Sequence, residues 1–243
     1  SKKELVREVV KELHELNKDV LRVLTEIVER VKELDKRVLE VLRRIVEEVE
    51  RLAKEAGLDE DELRKLIEEL RRLLKRIEDE VKRLNDELDK KLEELRKESE
   101  DLNRELEKTL RDDERKDSRE DRVVRDIARI LKTVLERNLR KIEEAARILM
   151  EYIERVKDLW RRAAELLKEI LRRLLKLLKD KVTDKDRLRE IEERVRKILE
   201  EIDKLLDDLR KAYDRILERI ERLVRELSRK HKEVADKITE LVK

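Results

Sequence analysis

Residues 188–216 read LREIEERVRKILEEIDKLLDDLRKAYDRI. A series of apolar residues runs Leu188, Ile191, Val195, Ile198, Ile202, Leu205, Leu209, Ala212 and Ile216. Their spacing alternates between three and four, which lays them along one stripe of an α-helix and makes the seam of a coiled coil. Working back through the chain, residues 2–56 carry two heptad series. Val6, Leu13, Val20, Ile27, Leu34 and Val41 hold one position; Leu24, Val31, Val38, Ile45 and Leu52 hold another. Leu21, Val28, Leu42 and Val49, with Val9, Leu16 and Val23, flank that seam. A stripe so wide suits a helix with neighbours on both sides, as in a bundle, better than a two-stranded rod. Residues 119–181 are similarly wide. Residues 60–111 are narrower, and the four-four step Leu84, Leu88, Leu92 should relax the supercoil there.

Composition narrows the classes further. The chain has 243 residues, with 68 Lys plus Arg against 66 Asp plus Glu, so 55% is charged while the net charge is only +2. Balanced charge argues against a nucleic-acid binder held by bulk positive field. Charge never lapses for more than a few residues, so no stretch can span a bilayer or form a signal-peptide core. Cys is absent, which removes disulfides and thiolate metal sites. One Gly and no Pro cannot punctuate an all-β domain. Disorder prefers low hydrophobicity with unbalanced charge; here 38% of residues are apolar and the charges cancel.

Three polar breaks separate four helices of roughly 2–56, 60–111, 119–181 and 184–242. Ser1 and Glu4 form a capping box at the start. Gly57 is placed to end the first helix in a left-handed conformation. Asp59 with Glu62 reads as the next box, stapled by Leu58 and Leu63. Asp112–Asp117 holds no apolar residue and reads as the second break, with Ser118 and Asp121 capping the third helix. Thr183 or Asp184 caps the fourth. Short connections between long helices make neighbours antiparallel. The expected fold is therefore all-α, an antiparallel up-down-up-down four-helix bundle of long coiled-coil-like helices, with residues 1–243 as a single domain. Solenoids use much shorter helices. A lipid-carrier protein is disfavoured by the missing Pro and the sharp seam.

Uncharged polar residues are few, so their placement is informative. Asn17 lies on the first seam, flanked by His14; Ser99 lies on the second, with Asn103 one turn on; Asn138 lies on the third, near Thr133; His231 lies on the fourth, near Ser228. Folding the hairpins about residues 57–58, 115 and 182–183 brings all eight to one height, with Ser99 opposite about 131 and Asn138 opposite about 227. His14, Asn17, Ser99, Asn103, Thr133, Asn138, Ser228 and His231 are expected to share a buried hydrogen-bond layer, because an isolated buried polar group is penalised. Such layers set register and partner choice more than stability. Buried neutral histidines would weaken folding as pH falls. Tyr152 and Tyr213 face each other at a second level, where Asn85 is a candidate partner and large core fillers are the plainer reading.

Chemistry is weakly signalled. Two histidines without Cys make a poor zinc set. Lys11 and Ser228 occupy the places where a di-iron bundle needs Glu-x-x-His acids. Ser228 and His231 lack an orienting acid and an oxyanion hole. No catalytic, metal or cofactor residue is expected, and no enzyme activity. Trp160–Lys181 reads WRRAAELLKEILRRLLKLLKDK, which as a free peptide would suit a membrane surface or calmodulin. Because the seam continues through it, its leucines are read as core and Trp160 as a core or edge filler.

With its capping boxes, single Gly, missing Pro, Gln, Phe and Cys, cancelling charges and polar layer on a 3-4 seam, the whole chain resembles de novo designed helical bundles that use hydrogen-bond networks for specificity. The resemblance implies a thermostable structural scaffold without catalytic activity or cofactor. That class also contains switches whose last helix is displaced by a partner peptide. No partner is required; a second copy or a partner helix is the alternative association, with no nucleic acid and no membrane.

Overall fold

The computed structural model describes residues 1–56, 61–115 and 121–243. Local chemistry sets the helix ends. Ser1 Oγ accepts from the Glu4 amide at 3.4 Å, and the Glu4 carboxylate reaches back to the terminal amine at 3.5 Å, so the capping box opens α1 (Lys2–Glu55). Asp184, not Thr183, caps the last helix: its Oδ1 accepts from the amides of Asp186 at 3.0 Å and Arg187 at 3.5 Å. Between them lie α2 (Asp61–Arg115) and α3 (Asp121–Lys181), and α4 runs Lys185–Leu241. The expected roles of Gly57, Leu58, Asp59 and Ser118 fall outside the described residues.

The second break differs from expectation. α2 does not stop near residue 111 but continues through Asp112, Asp113 and Glu114 to Arg115. A run without apolar residues removes a packing face, yet Asp, Glu and Arg still complete backbone hydrogen bonds, so polarity alone does not end a helix. Asp113 is in fact buried. A longer α2 moves the α2–α3 hairpin midpoint toward the C-terminus and changes which residues meet, as described below.

The four helices pack against one another as an antiparallel up-down-up-down four-helix bundle, with no strand among the described residues. Two compact units are distinguished: Ser1–Arg30 with Glu87–Glu151 and Ile216–Lys243, and Val31–Asp86 with Tyr152–Arg215. Every helix contributes residues to both.

In the first unit, Val6, Leu13, Leu102, Leu106, Leu131 and Val234 belong to one apolar cluster. Val20, Ile142 and Leu227 form a smaller one. Lys237 of α4 reaches Glu8 at 3.0 Å and Glu12 at 2.5 Å on α1. In the second unit, Val38, Ile45, Leu70, Ile153, Leu171 and Ile202 are buried. The leucines of the basic stretch are core as expected: Leu167, Leu171, Leu174 and Leu178 are buried, while Leu166 remains 43% exposed. Arg187 of α4 donates to the Glu55 carbonyl, satisfying an acceptor that the end of α1 leaves open, and Arg194 holds the Glu55 carboxylate at 2.5 Å. No described helix is long and apolar enough to cross a membrane.

Packing of the smaller cluster is imperfect. Val20, Leu24, Ile142, Ala145, Ile220 and Leu227 line an apolar hollow of about 40 Å³. An unfilled apolar space of that size costs on the order of 1 kcal/mol. Val20→Ile adds one methylene at a buried position, and its chemical-denaturation midpoint should rise by an amount equivalent to about 0.5–1 kcal/mol.

Candidate functional site

The first unit holds a buried polar layer. Asn17 (α1) donates through Nδ2 to the Ser99 carbonyl at 2.9 Å and to Asn103 Oδ1 at 2.7 Å. His14 Nδ1 lies 3.1 Å from the same Asn103 oxygen, which fits the tautomer that donates from Nδ1. Lys141 of α3 completes the group, donating from Nζ to Asn17 Oδ1 and to Ser99 Oγ. The Asn17 side chain thereby uses both amide hydrogens and its oxygen, as a buried amide must. On α3 and α4, Asn138 and His231 form a separate pair. His231 Nδ1–H donates to the Leu227 carbonyl at 2.6 Å, one turn back, which leaves Nε2 to accept from Asn138 Nδ2 at 2.6 Å. His231 is therefore held neutral in one tautomer. Burial pushes its pKa down, helped by the Lys141 charge and partly offset by the carbonyl bond.

Along the helices this layer separates the two apolar clusters of the unit. Leu16, Leu102, Leu135 and Val234 lie on one side, and Val20, Ile142 and Leu227 on the other. Asn17, Ser99, Asn138 and His231 are buried; His14 and Asn103 are half-buried at its edge.

Two expected members stand outside it. Thr133 and Ser228 are exposed. Thr133 Oγ1 donates to the Arg129 carbonyl of its own helix at 3.0 Å. Each helical residue turns the side chain by about 100°. The buried stripe of α3 runs through Val134 and Asn138, and that of α4 through Leu227 and His231, so their neighbours 133 and 228 turn toward solvent. The expected opposition of Ser99 and a residue near 131 is also corrected: Ser99 meets Lys141, because α2 extends to Arg115. Asn138 meets His231 instead of a residue near 227.

Lys141 was not expected in this layer. It is 2% exposed, and no carboxylate bonds to its ammonium group among the described residues. Burial pulls its pKa from 10.5 to about 8, against the pull of Glu98. A sequence signal existed: Ile127, Val134 and Ile148 occupy one heptad position of α3, and Lys141 fills the missing place.

A second polar cluster lies in the second unit, centred on Asp35 of α1, which is 1% exposed. Tyr152 OH donates to Asp35 Oδ2 at 2.5 Å and Tyr213 OH to Oδ1 at 2.8 Å. Trp160 Nε1–H donates to the Tyr213 oxygen at 2.8 Å. The Tyr152 oxygen also meets the Asn85 side-chain amide. A hydroxyl has one proton, so the orientation compatible with both contacts turns the Asn85 NH₂ toward the tyrosine. The tyrosines, read from sequence as fillers, are thus the donors that solvate a buried carboxyl, and Trp160, read the same way, donates to one of them. Burial raises the Asp35 pKa from 3.8 to about 6, and the two tyrosine hydrogen bonds offset only part of that. Burial and the neighbouring Asp35 charge raise the Tyr213 phenol, which keeps its proton. Here too a gap marked the site: Leu21, Val28, Leu42 and Val49 share a heptad position whose missing member is Asp35.

Neither cluster is arranged for metal binding: among the described residues no group of three or more His, Cys, Asp or Glu side chains could hold an ion. No protein-family model matches the sequence, and comparison with curated proteins and with solved structures likewise finds no match.

The buried charges make stability depend on pH in opposite senses. Between pH 3.8 and about 6 the unfolded chain releases the Asp35 proton while the folded chain keeps it, so stability falls as pH rises and is level above. Asp35→Asn removes this term. From about pH 4 to about pH 7 the stability of the variant relative to the parent should improve by on the order of 3 kcal/mol, read from urea titrations at each pH. Lys141 acts in reverse. Between about pH 8 and 10.5 the unfolded chain holds the proton that the folded chain has lost, so stability rises with pH. Lys141→Met should abolish that rise. His231 adds a loss of stability as pH falls below 6.5, so only the variant-minus-parent difference isolates each group.

Proposed function

We propose that the protein is a structural scaffold of the de novo designed kind, whose polar clusters select one pairing of four otherwise similar helices. The observation that carries this reading is the engagement of Asn17, the one side chain in the first layer whose three hydrogen-bonding positions are all used, by groups from α2 and α3 at once. A heptad slip of α1, α2 or α3 would move apolar onto apolar almost unchanged but strand the Asn17 amide or the Lys141 ammonium in hydrocarbon, and a slip of α4 would part His231 from Asn138. Apolar stripes supply most of the burial free energy without choosing among registers, and the polar layer supplies the choice. Electrostatics at the surface agree with a self-contained role. Many of the ion pairs join a cation to an acid three or four residues away on its own helix, such as Arg37 with Glu33 and Arg196 with Glu193 and Glu200. Pairs of this kind are worth about 0.3–0.5 kcal/mol each and serve solubility more than assembly.

Replacing the layer with hydrocarbon tests the proposal: His14→Leu, Asn17→Leu, Ser99→Ala, Asn103→Leu, Asn138→Leu, Lys141→Leu and His231→Leu together. The thermal midpoint should stay level or rise, because no buried polar group is left unpaired. Uniqueness should be lost, seen as multiple or broadened amide resonances and as mixed species in native mass spectrometry. A variant with one sharp set of resonances and the parental helix contacts would refute a specificity role.

A further inference from the structure

Trp and Tyr rings are the readily oxidised one-electron donors of a chain that lacks Cys, and this chain has one Trp and two Tyr. All three meet in the second unit, around one carboxyl group. Tyr213 is fully buried; its hydroxyl donates to Asp35 Oδ1 at 2.8 Å, and its oxygen accepts from Trp160 Nε1–H at 2.8 Å. Tyr152 donates to the other Asp35 oxygen at 2.5 Å. A phenol buried in hydrocarbon resists losing an electron, because the radical cation is a charge left without water. A base already bonded to the hydroxyl removes that obstacle: the proton crosses the existing hydrogen bond as the electron departs. We propose that the Tyr152–Asp35–Tyr213 cluster is a one-electron redox site, in which one phenol gives its electron to an outer-sphere oxidant and its proton to Asp35.

The step balances within the cluster. A tyrosine O–H bond breaks, an O–H bond forms on Asp35, and the oxidant, a ruthenium(III) tris(bipyridine) complex, takes the electron and becomes ruthenium(II). A carboxylate and a phenol become a carboxylic acid and a neutral phenoxyl radical, so the interior loses a charge instead of gaining one. Asp35 is one base shared by two phenols, so the site holds one oxidising equivalent. Trp160 does not compete for it: its N–H faces a phenol oxygen, too weak a base to take the proton, and a hole on the indole passes to Tyr213. Asp35 is faced by Tyr152 from α3 and Tyr213 from α4, with Asn85 of α2 meeting the Tyr152 oxygen. Burial and the two phenols set its ionisation, so it is charged and able to accept above about pH 6. One helix is about 10–12 Å across, so an oxidant at the surface lies within electron-tunnelling reach of the cluster.

The full-length protein, at about pH 8 where Asp35 is ionised, is mixed with tris(bipyridine)ruthenium(II) and a sacrificial electron acceptor, flashed, frozen and read by electron paramagnetic resonance. The expected spectrum is that of a phenoxyl radical, at no more than one spin per chain. Asp35→Asn keeps the size of the side chain and removes the base. Its phenoxyl yield should fall at least about tenfold, with an indole radical in its place and the circular dichroism spectrum unchanged. A second measurement uses the parent alone. Below about pH 6 Asp35 already holds a proton, so oxidation releases one to solvent, and the midpoint potential from square-wave voltammetry should fall with each pH unit by a tenfold change in equilibrium, about 59 mV. Above about pH 6 the proton stays in the cluster and the potential should be level. No phenoxyl signal in the parent overturns the site. An undiminished phenoxyl yield in Asp35→Asn, two spins per chain, or a potential that falls without a break across about pH 6 overturns Asp35 as the shared proton acceptor.

Discussion

A charge taken out of water must be met by dipoles that replace its hydration, and two side chains of this protein show how that is done. Lys141 and Asp35 are each nearly inaccessible to solvent, and neither is hydrogen-bonded to an oppositely charged group among the described residues. Their partners are neutral: an amide and a hydroxyl for the ammonium, two phenols for the carboxylate. Neutral donors and acceptors offset desolvation only in part, which is why burial is the largest influence on both groups and both shift toward their uncharged forms. The neighbouring helices must bring those partners to the right height, or the bundle bears the whole cost of the charge.

Each unit therefore has an apolar interior interrupted by one polar cluster, with a cation in the first unit and an acid in the second. The clusters are built differently. Around Lys141 the partners are short, flexible amides and a hydroxyl, and one half of the layer, Asn138 with His231, stands as a separate pair. Around Asp35 the partners are large aromatics that fill core volume while pointing their single polar atom inward. Tyrosine and tryptophan suit that task because they combine a broad apolar body with one donor.

Much of the site was written in the linear order of residues, and the omissions have a common origin. Asn17, Ser99, Asn138 and His231 stand out because each is an uncharged polar residue on an apolar stripe. Lys141 and Asp35 occupy stripe positions just as regular, but in a chain more than half charged a lysine or an aspartate attracts no notice. Only the interrupted heptads mark them. Thr133 and Ser228 were included for nearness in sequence, and a turn of about 100° per residue puts such neighbours on another face. The pairing of Ser99 shows a further limit. Hairpin arithmetic depends on where helices end, and the polar run after residue 111 contains no steric or conformational stop, so α2 continues through it.

The amino-acid sequence by itself determined that the chain forms four long helices, that neighbours run antiparallel, and which stripe of each helix is buried. Those features follow from short-range rules: periodicity, capping and the length of connections. Tertiary structure decided which polar groups touch, that a lysine and an aspartate go inside, and where a hollow remains between helices. These depend on the axial offset and rotation of one helix against another. A seam repeating every seven residues is nearly degenerate in offset, so only the packed chain can choose among them.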